Sequence, residues 1–178
     1  MSRLAAVLTP ADLPLAELHA ARLDGELFAV DSCFAPIDEP ELPRLRADAI
    51  AAVWPDRIIA EQRSAAWVYG VLPTPPVQHE LCADLSARAR PSNRGQARVR
   101  EVVIDPSEVV RIGRLDVTSP LRTVLDLARF SETFGQIEQK VCRDLMVLGG
   151  LTIDDCRSAL ALRRNLPGKR QAVERLRA

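Results

Sequence analysis

The stretch Val117-Thr118-Ser119-Pro120-Leu121-Arg122-Thr123-Val124-Leu125-Asp126-Leu127-Ala128 leaves the backbone few choices. Ser119 can cap a helix with its hydroxyl, and Pro120 suits the first helical turn, where a missing N–H costs nothing. Leu121, Val124, Leu125 and Ala128 then recur at i, i+3, i+4 and i+7, which makes one apolar face. Arg122 and Asp126 stand four apart and can pair along the helix surface. The reading is a short strand that breaks directly into a helix. The chain before this joint reads as sheet with small helices, and the chain after it as helical.

A length of 178 residues suits one domain, or one domain with a small appendage. An apolar fraction of 47% is ample for a core and argues against wholesale disorder. No run of about 18 uncharged apolar residues occurs, so no membrane span is expected. The apolar part of the N-terminus is too short for a signal peptide. A cytoplasmic protein is the expectation. Cys33, Cys82, Cys142 and Cys156 form no C-x-x-C pair, and His19 and His79 are the only histidines. No metal-ligand spacing results, so no cofactor or metal is expected and the thiols read as structural.

The net charge of zero conceals an asymmetry. Residues 1–87 carry 6 Arg against 13 Asp or Glu, net −7, and residues 88–178 carry 18 Lys or Arg against 11 Asp or Glu, net +7. The halves can attract each other, or the second can offer a basic face to an anionic partner.

Thr9-Pro10-Ala11-Asp12 has the form of a capping box and predicts a short helix to Leu13. A second helix runs through Leu15, Leu18 and Leu23 to a stop at Gly25. Glu26 to Val30 and Cys33 to Ile37 read as a hairpin. Helix, helix and hairpin outline a winged helix-turn-helix that lacks its first helix. Its recognition helix would offer His19 and Arg22 to DNA, beside the carboxylates of Glu17 and Asp24, which repel phosphate. A helix with Leu45, Ala49, Ile50 and Val53 on one side ends at Trp54-Pro55. A brief extended segment, Arg57 to Ala60, leads to a helix from Glu61 to Tyr69 that carries Trp67 as a core anchor.

A strand from Val77 to Leu85 places His79 on an apolar face, where a lone histidine is usually a satisfied core residue. Residues 88–100, with Arg88, Arg90, Arg94, Arg98 and Arg100, are the most basic stretch and read as a hairpin loop. Those arginines can track a phosphate backbone, or pair with the acidic half as a solvated tip. Val99 to Ile104 is the return strand, and a second hairpin turns at Gly113-Arg114. The sheet therefore has about four antiparallel strands. Beyond the joint come a helix from Ser131 through Ile137, Val141, Leu145 and Leu148 to Gly149-Gly150, a helix capped at Thr152-Ile153-Asp154-Asp155, and a last one from near Gly168.

The fold class is α+β: an abbreviated winged-helix-like element over residues 1–38, then an α+β domain over 39–178 with a helical end. No nucleophile elbow, phosphate-binding glycine loop or paired histidines occur, and capping explains Asp154 and Asp155. No enzymatic site is expected, and no catalytic residue is assigned.

Together, the stretch Glu61-Gln62-Arg63-Ser64-Ala65-Ala66-Trp67-Val68-Tyr69-Gly70, the joint at 117–128 and the helix closing at Gly149-Gly150-Leu151-Thr152 resemble the AbiEi-type antitoxins of type IV toxin–antitoxin systems. The Leu8-Thr9-Pro10-Ala11-Asp12-Leu13 opening is similar to actinobacterial members. The resemblance implies an N-terminal winged-helix part that binds DNA and represses its own operon. It also implies a C-terminal domain that counters a nucleotidyltransferase-like toxin, so the expected partners are DNA and a cognate toxin. Some relatives continue into a very-short-patch-repair-type nuclease, but this chain reads as a short form for which nuclease activity is not expected. The alternatives are a protein-interaction module without DNA binding and, less favoured, a thiol or metal sensor.

Overall fold

The computed structural model describes residues 5–54, 57–85, 97–163 and 165–177. It is an α+β fold with a two-stranded ribbon, a five-stranded sheet and seven α-helices among those residues. None of these helices is long and apolar enough to cross a membrane.

The chain opens with a turn where a first helix was expected. Only half of the expected box forms: Thr9 N–H and Oγ1–H each donate to Asp12 Oδ2 at 2.8 Å, while the Asp12 amide donates to the Thr9 carbonyl and not to its hydroxyl. The turn ends there because Pro14 follows Leu13, and a residue before proline resists the helical conformation. The helix α1, Leu15–Leu23, then begins directly after Pro14. Strands β1, Leu27–Val30, and β2, Cys33–Pro36, pair antiparallel around Asp31-Ser32, with Asp31 in the left-handed region at φ 53°. Leu8, Leu18, Leu27 and Phe34 form a small apolar cluster under α1. Val30, Cys33 and Ala35 belong instead to the main core, so the ribbon shares its packing with the body.

Helix α2, Pro43–Val53, buries Leu45, Ala47, Ala49 and Ile50 and ends in extended backbone at Trp54, ahead of Pro55. Then come β3, Ile59–Ala60, helix α3, Gln62–Val68, β4, His79–Asp84, and β5, Ala97–Val102. A 3₁₀ turn at Pro106–Glu108 leads into β6, Val109–Ile112, and β7, Leu115–Thr118. The chain finishes with α4, Pro120–Phe130, α5, Gln136–Gly149, α6, Ile153–Leu162, and α7, Lys169–Arg175.

The sheet differs from the four antiparallel strands expected. Its order is β5-β4-β3-β7-β6, with β4–β5 and β3–β7 parallel and β3–β4 and β6–β7 antiparallel. Two causes account for the difference. The two-residue β3 is too short to show a strand period, yet it lies at the centre of the sheet. The register sets Ala97 beside His79, so β5 runs with β4, and a parallel pair cannot be joined by a tight hairpin.

Helix α4 runs through the middle of the body, against α3, α5, α6, α7 and β7. Every residue from Arg122 to Arg129 is buried, so the single apolar face read from the sequence is one side of a helix enclosed nearly all round. Ser119 caps it, accepting from Arg122 N–H at 3.3 Å, and Pro120 occupies the first turn. Helix α5 buries Glu138, Val141, Cys142 and Leu145, while Ile137 and Leu148 face solvent. Its buried stripe is thus rotated by about one residue from the expected one. Gly150 closes α5 in the left-handed conformation, and Thr152 with Asp155 caps α6.

Gly168 sets the seat of α7 on α4. Its φ is +73°, and a Cβ there would lie 2.9 Å from the backbone oxygen of Arg129. Gly168→Ala combines left-handed strain with a backbone clash, each costing about 1 kcal/mol or more. We expect a loss of about 2–4 kcal/mol in urea unfolding, and little or none for the exposed control Arg170→Ala, whose one ion pair among the described residues is with the exposed Glu174.

Candidate functional site

Asp126 is fully buried in α4 and bound by arginines on both carboxylate oxygens. Arg122 Nε donates to Oδ2 at 2.8 Å, Arg129 Nη1 to Oδ1 at 2.8 Å, and Arg100 Nη2 lies 3.5 Å from Oδ2. The Arg122–Asp126 pair expected on a helix surface is therefore in the interior, because other elements cover that side of α4. Arg122 also reaches Glu108 Oε2 at 2.7 Å, and Glu108 is paired in turn with Arg163. Arg129 Nε donates to the carbonyl of Pro167 at 2.8 Å.

Glu61 extends this network into the sheet. It follows β3, and its carboxylate accepts two parallel bonds from Arg100 of β5, at 2.7 and 2.6 Å. Gln62 behind it takes φ 49°, a left-handed conformation unusual for this residue type, and donates to Glu61 Oε1. That kink lets the chain leave the sheet while Glu61 points across it. The Phe130 ring packs against two guanidinium groups, at 4.2 Å from Arg100 and 4.3 Å from Arg129. Burial alone would lower the Arg100 pKa, but the bonds and charge of Glu61, with the charge of Asp126, outweigh it and leave it raised. Burial lowers that of Arg129. Asp126 opposes this, but the nearby charges of Arg122 and Arg100 reinforce the lowering.

Beside the network lies a cleft of about 250 Å³, lined among others by Arg63, Gln78, Glu80, Arg98, Phe130 and Glu138. Arg63 bonds Glu138 at 2.9 Å, and Arg63 N–H donates to Glu80 at 2.8 Å. Burial, aided by the charge of Glu61, raises the Glu80 pKa against that amide bond. The cleft carries both signs of charge and is not a basic surface.

A second polar line-up joins the ribbon to the body. Ser64 Oγ is 2.9 Å from His79 Nδ1, and His79 Nε2 is 3.1 Å from Asp31 Oδ1. Serine, histidine and aspartate in contact invite comparison with a nucleophilic triad. Here, however, Ser64 is fully buried and its oxygen already accepts the Glu80 amide at 2.9 Å. In the neutral ring, the Ser64 hydroxyl donates to Nδ1 and Nε2–H donates to Asp31. His79 is thus a satisfied interior histidine that ties the β1–β2 turn, α3 and β4 together. Sequence reading had no signal for this line-up, since its members lie 15 and 48 positions apart.

The four cysteines are buried and free. Burial pushes the thiol of Cys33 up to about 11 and that of Cys142 to about 12, and raises those of Cys82 and Cys156. Such thiols are poor nucleophiles near neutral pH. Among the described residues no group of His, Cys, Asp or Glu is placed to hold a metal ion.

The expected DNA-contacting residues fall in different places. His19 and Arg22 are on the exposed side of α1, with the His19 ring edge-on to Phe34 at 5.3 Å. Arg98 is exposed at the start of β5, 3.8 Å from Glu132. Arg100 is held inside the network by Glu61. Arg88, Arg90 and Arg94 lie outside the described residues.

No protein-family model matches the chain, and no curated protein does. Among solved structures it is similar to the crystal structure of the RV2827C protein from Mycobacterium tuberculosis, at 16% identity and a TM-score of 0.52, over 97% of this chain and 72% of that one. At that identity the likeness concerns the fold.

Two outcomes test this geometry. Asp126→Asn leaves the buried Arg122 and Arg129 short of a counter-charge and should cost about 3–5 kcal/mol in chemical unfolding. The second concerns Asp31. Burial pushes its carboxyl up, but the bond and charge of His79 and the Ser32 amide outweigh this and hold it below the ordinary 3.8. A depressed pKa stabilises the fold above the unfolded value, and that stabilisation is lost as pH falls through the folded one. Asp31→Asn should therefore lower the melting temperature at pH 6, with the gap to wild type closing below about pH 4.

Proposed function

We propose that this chain is an antitoxin-like, non-enzymatic regulator of the cytoplasm that binds DNA, counters a nucleotidyltransferase-like toxin, or does both. The observation that carries this reading is the N-terminal unit. A single helix lies on a two-stranded ribbon, and the ribbon is tied to the α+β body through Asp31 and His79. This has the outline of a winged helix-turn-helix reduced to one helix and its wing, and α1 turns His19 and Arg22 outward. Arg98 continues the basic run of Arg88, Arg90 and Arg94 and adds a cation that phosphate can reach. Among the described residues the buried charged groups Glu61, Arg122, Asp126 and Arg129, and the Ser64–His79–Asp31 line-up, are held by structural bonds, which supports a binding role over a chemical one.

A second reading, a protein-interaction module without DNA binding, is favoured by two observations. Glu17 and Asp24 share the exposed surface of α1 with Arg22, and Arg100 is held by Glu61 away from any phosphate.

A gel shift with the DNA upstream of its own gene, at about 50 mM salt where phosphate contacts are strongest, tests the first reading. Binding is expected. Arg22→Ala should weaken it several-fold and make the salt slope shallower by about 0.9, the share of a single phosphate. No binding at that salt removes the DNA claim. For the triple variant Arg90→Ala, Arg94→Ala, Arg98→Ala, unchanged DNA affinity together with failure to pull down the toxin encoded beside it favours the second reading.

A further inference from the structure

Three carboxylates, Glu80, Glu132 and Glu138, and two guanidinium groups, Arg63 and Arg98, line the cleft beside the Asp126 network. Two of the carboxylates are matched. Glu138 takes Arg63 on Oε1 at 2.9 Å and the Gly135 amide on Oε2 at 3.0 Å, so both its oxygens are engaged. Glu132 lies 3.8 Å from Arg98 at the open side of the cleft. Glu80 is left over. Its Oε2 accepts the Arg63 amide at 2.8 Å, but among the described residues its Oε1 accepts no hydrogen bond and the carboxylate forms no ion pair. Arg100 and Arg129 stand behind the Phe130 ring and are already taken up by Glu61 and Asp126.

The backbone holds Glu80 where it is. Its amide donates to Ser64 Oγ at 2.9 Å and its carbonyl accepts the Glu61 amide at 3.0 Å. The side chain is partly buried. The raised carboxyl of Glu80 reflects the same imbalance. Burial is its first cause and Glu61 adds to it, and the Arg63 amide with the charges of Arg63 and Arg98 does not outweigh them. A partly desolvated carboxylate with one oxygen unbonded calls for a cation. The excess of negative charge in the lining disfavours an anion such as phosphate. Among the described residues no group of His, Cys, Asp or Glu is placed to hold a metal ion, so the fit is to an organic cation. Ser131 and Thr133, where the chain leaves α4, add hydroxyl acceptors for its remaining N–H groups. A volume of about 250 Å³ is below that of pockets for drug-sized ligands and suits a head group with a few carbons.

We propose that this cleft binds the guanidinium or ammonium head of an organic cation, with Glu80 as its counter-charge and the hydroxyls of Ser131 and Thr133 as further acceptors. One such cation brings the five charged side chains of the lining to neutrality and leaves both existing ion pairs in place. The head can belong to a free small molecule or to an arginine or lysine side chain of a protein partner, since the recognising chemistry is the same. The inference does not depend on DNA or toxin binding and can fail without affecting that reading.

The test is an amide NMR titration of the full chain at about 50 mM salt, where charge contacts are little screened. Ethylguanidine serves as the free cation and N-acetylarginine amide as the side chain of a partner. Shifts should concentrate on Arg63, Glu80 and Phe130 to Thr133. Glu80→Gln should weaken binding about tenfold or more, the share of a hydrogen bond to a charged group. Its side-chain oxygen can still accept the Arg63 amide, so the variant should fold, and an unchanged spectrum away from the cleft verifies this. Glu174→Gln, an exposed carboxylate that does not line the cleft, should bind as wild type does. Tighter binding of ethylguanidine supports a free cation as the occupant, and tighter binding of N-acetylarginine amide supports a protein side chain. No shifts with either probe overturn the proposal. So do shifts centred on the acidic residues of α1, or a Glu80→Gln variant that binds as tightly as wild type.

Discussion

A carboxylate with no solvent exposure must be surrounded by donors, and Asp126 meets that demand with Arg122, Arg129 and Arg100. Those arginines come from two elements, and their other contacts reach further. Arg100 brings in Glu61 at the end of β3, Arg122 brings in Glu108 before β6, and Arg129 bonds the chain before α7. One aspartate therefore fixes how the sheet, the central helix and the helical end sit together. A well-packed apolar core could be as stable or more so, and what a fully bonded network adds is one specific arrangement of its parts. Four arginines, counting Arg163, meet three carboxylates in it. The remaining positive charge is accommodated by the ring of Phe130 and the carbonyl of Pro167.

The joint between ribbon and body follows the same logic on a smaller scale. His79 uses both ring nitrogens, one toward Ser64 and one toward Asp31. With Val30, Cys33 and Ala35 packed into the main core, α1 is carried at a defined position instead of on a loose arm. The side chains that α1 turns outward are thereby held in a fixed relation to the cleft beside the Asp126 network. The fold likeness to the Mycobacterium tuberculosis protein extends over nearly the whole chain, so this arrangement of ribbon, sheet and helices is not peculiar to one sequence.

Much of the local structure was legible because its causes are local. Ser119-Pro120 starts a helix, Gly150 ends one, Thr152 with Asp155 caps another, and Trp54 ahead of Pro55 leaves the helical conformation. Trp67 was readable as a core residue for its size alone. The sheet was less legible. A two-residue strand has no period to detect, and strand direction depends on where the chain re-enters, which alternation does not encode. Arg122 and Asp126 have the spacing of an exposed surface pair and are buried only because neighbouring elements close over them.

The sequence by itself therefore determined the class of elements, their caps and ends, and the strand-to-helix joint at 117–128, since each follows from residues within a few positions of one another. It also set the charge asymmetry between the halves. Only the tertiary structure decided that Arg100 serves Glu61 and is not free for an anion, that Ser64, His79 and Asp31 meet, and that β3 is the centre of a mixed sheet. Each of these depends on groups far apart in the chain being desolvated together. That is a property of the packed molecule, and no window of sequence contains it.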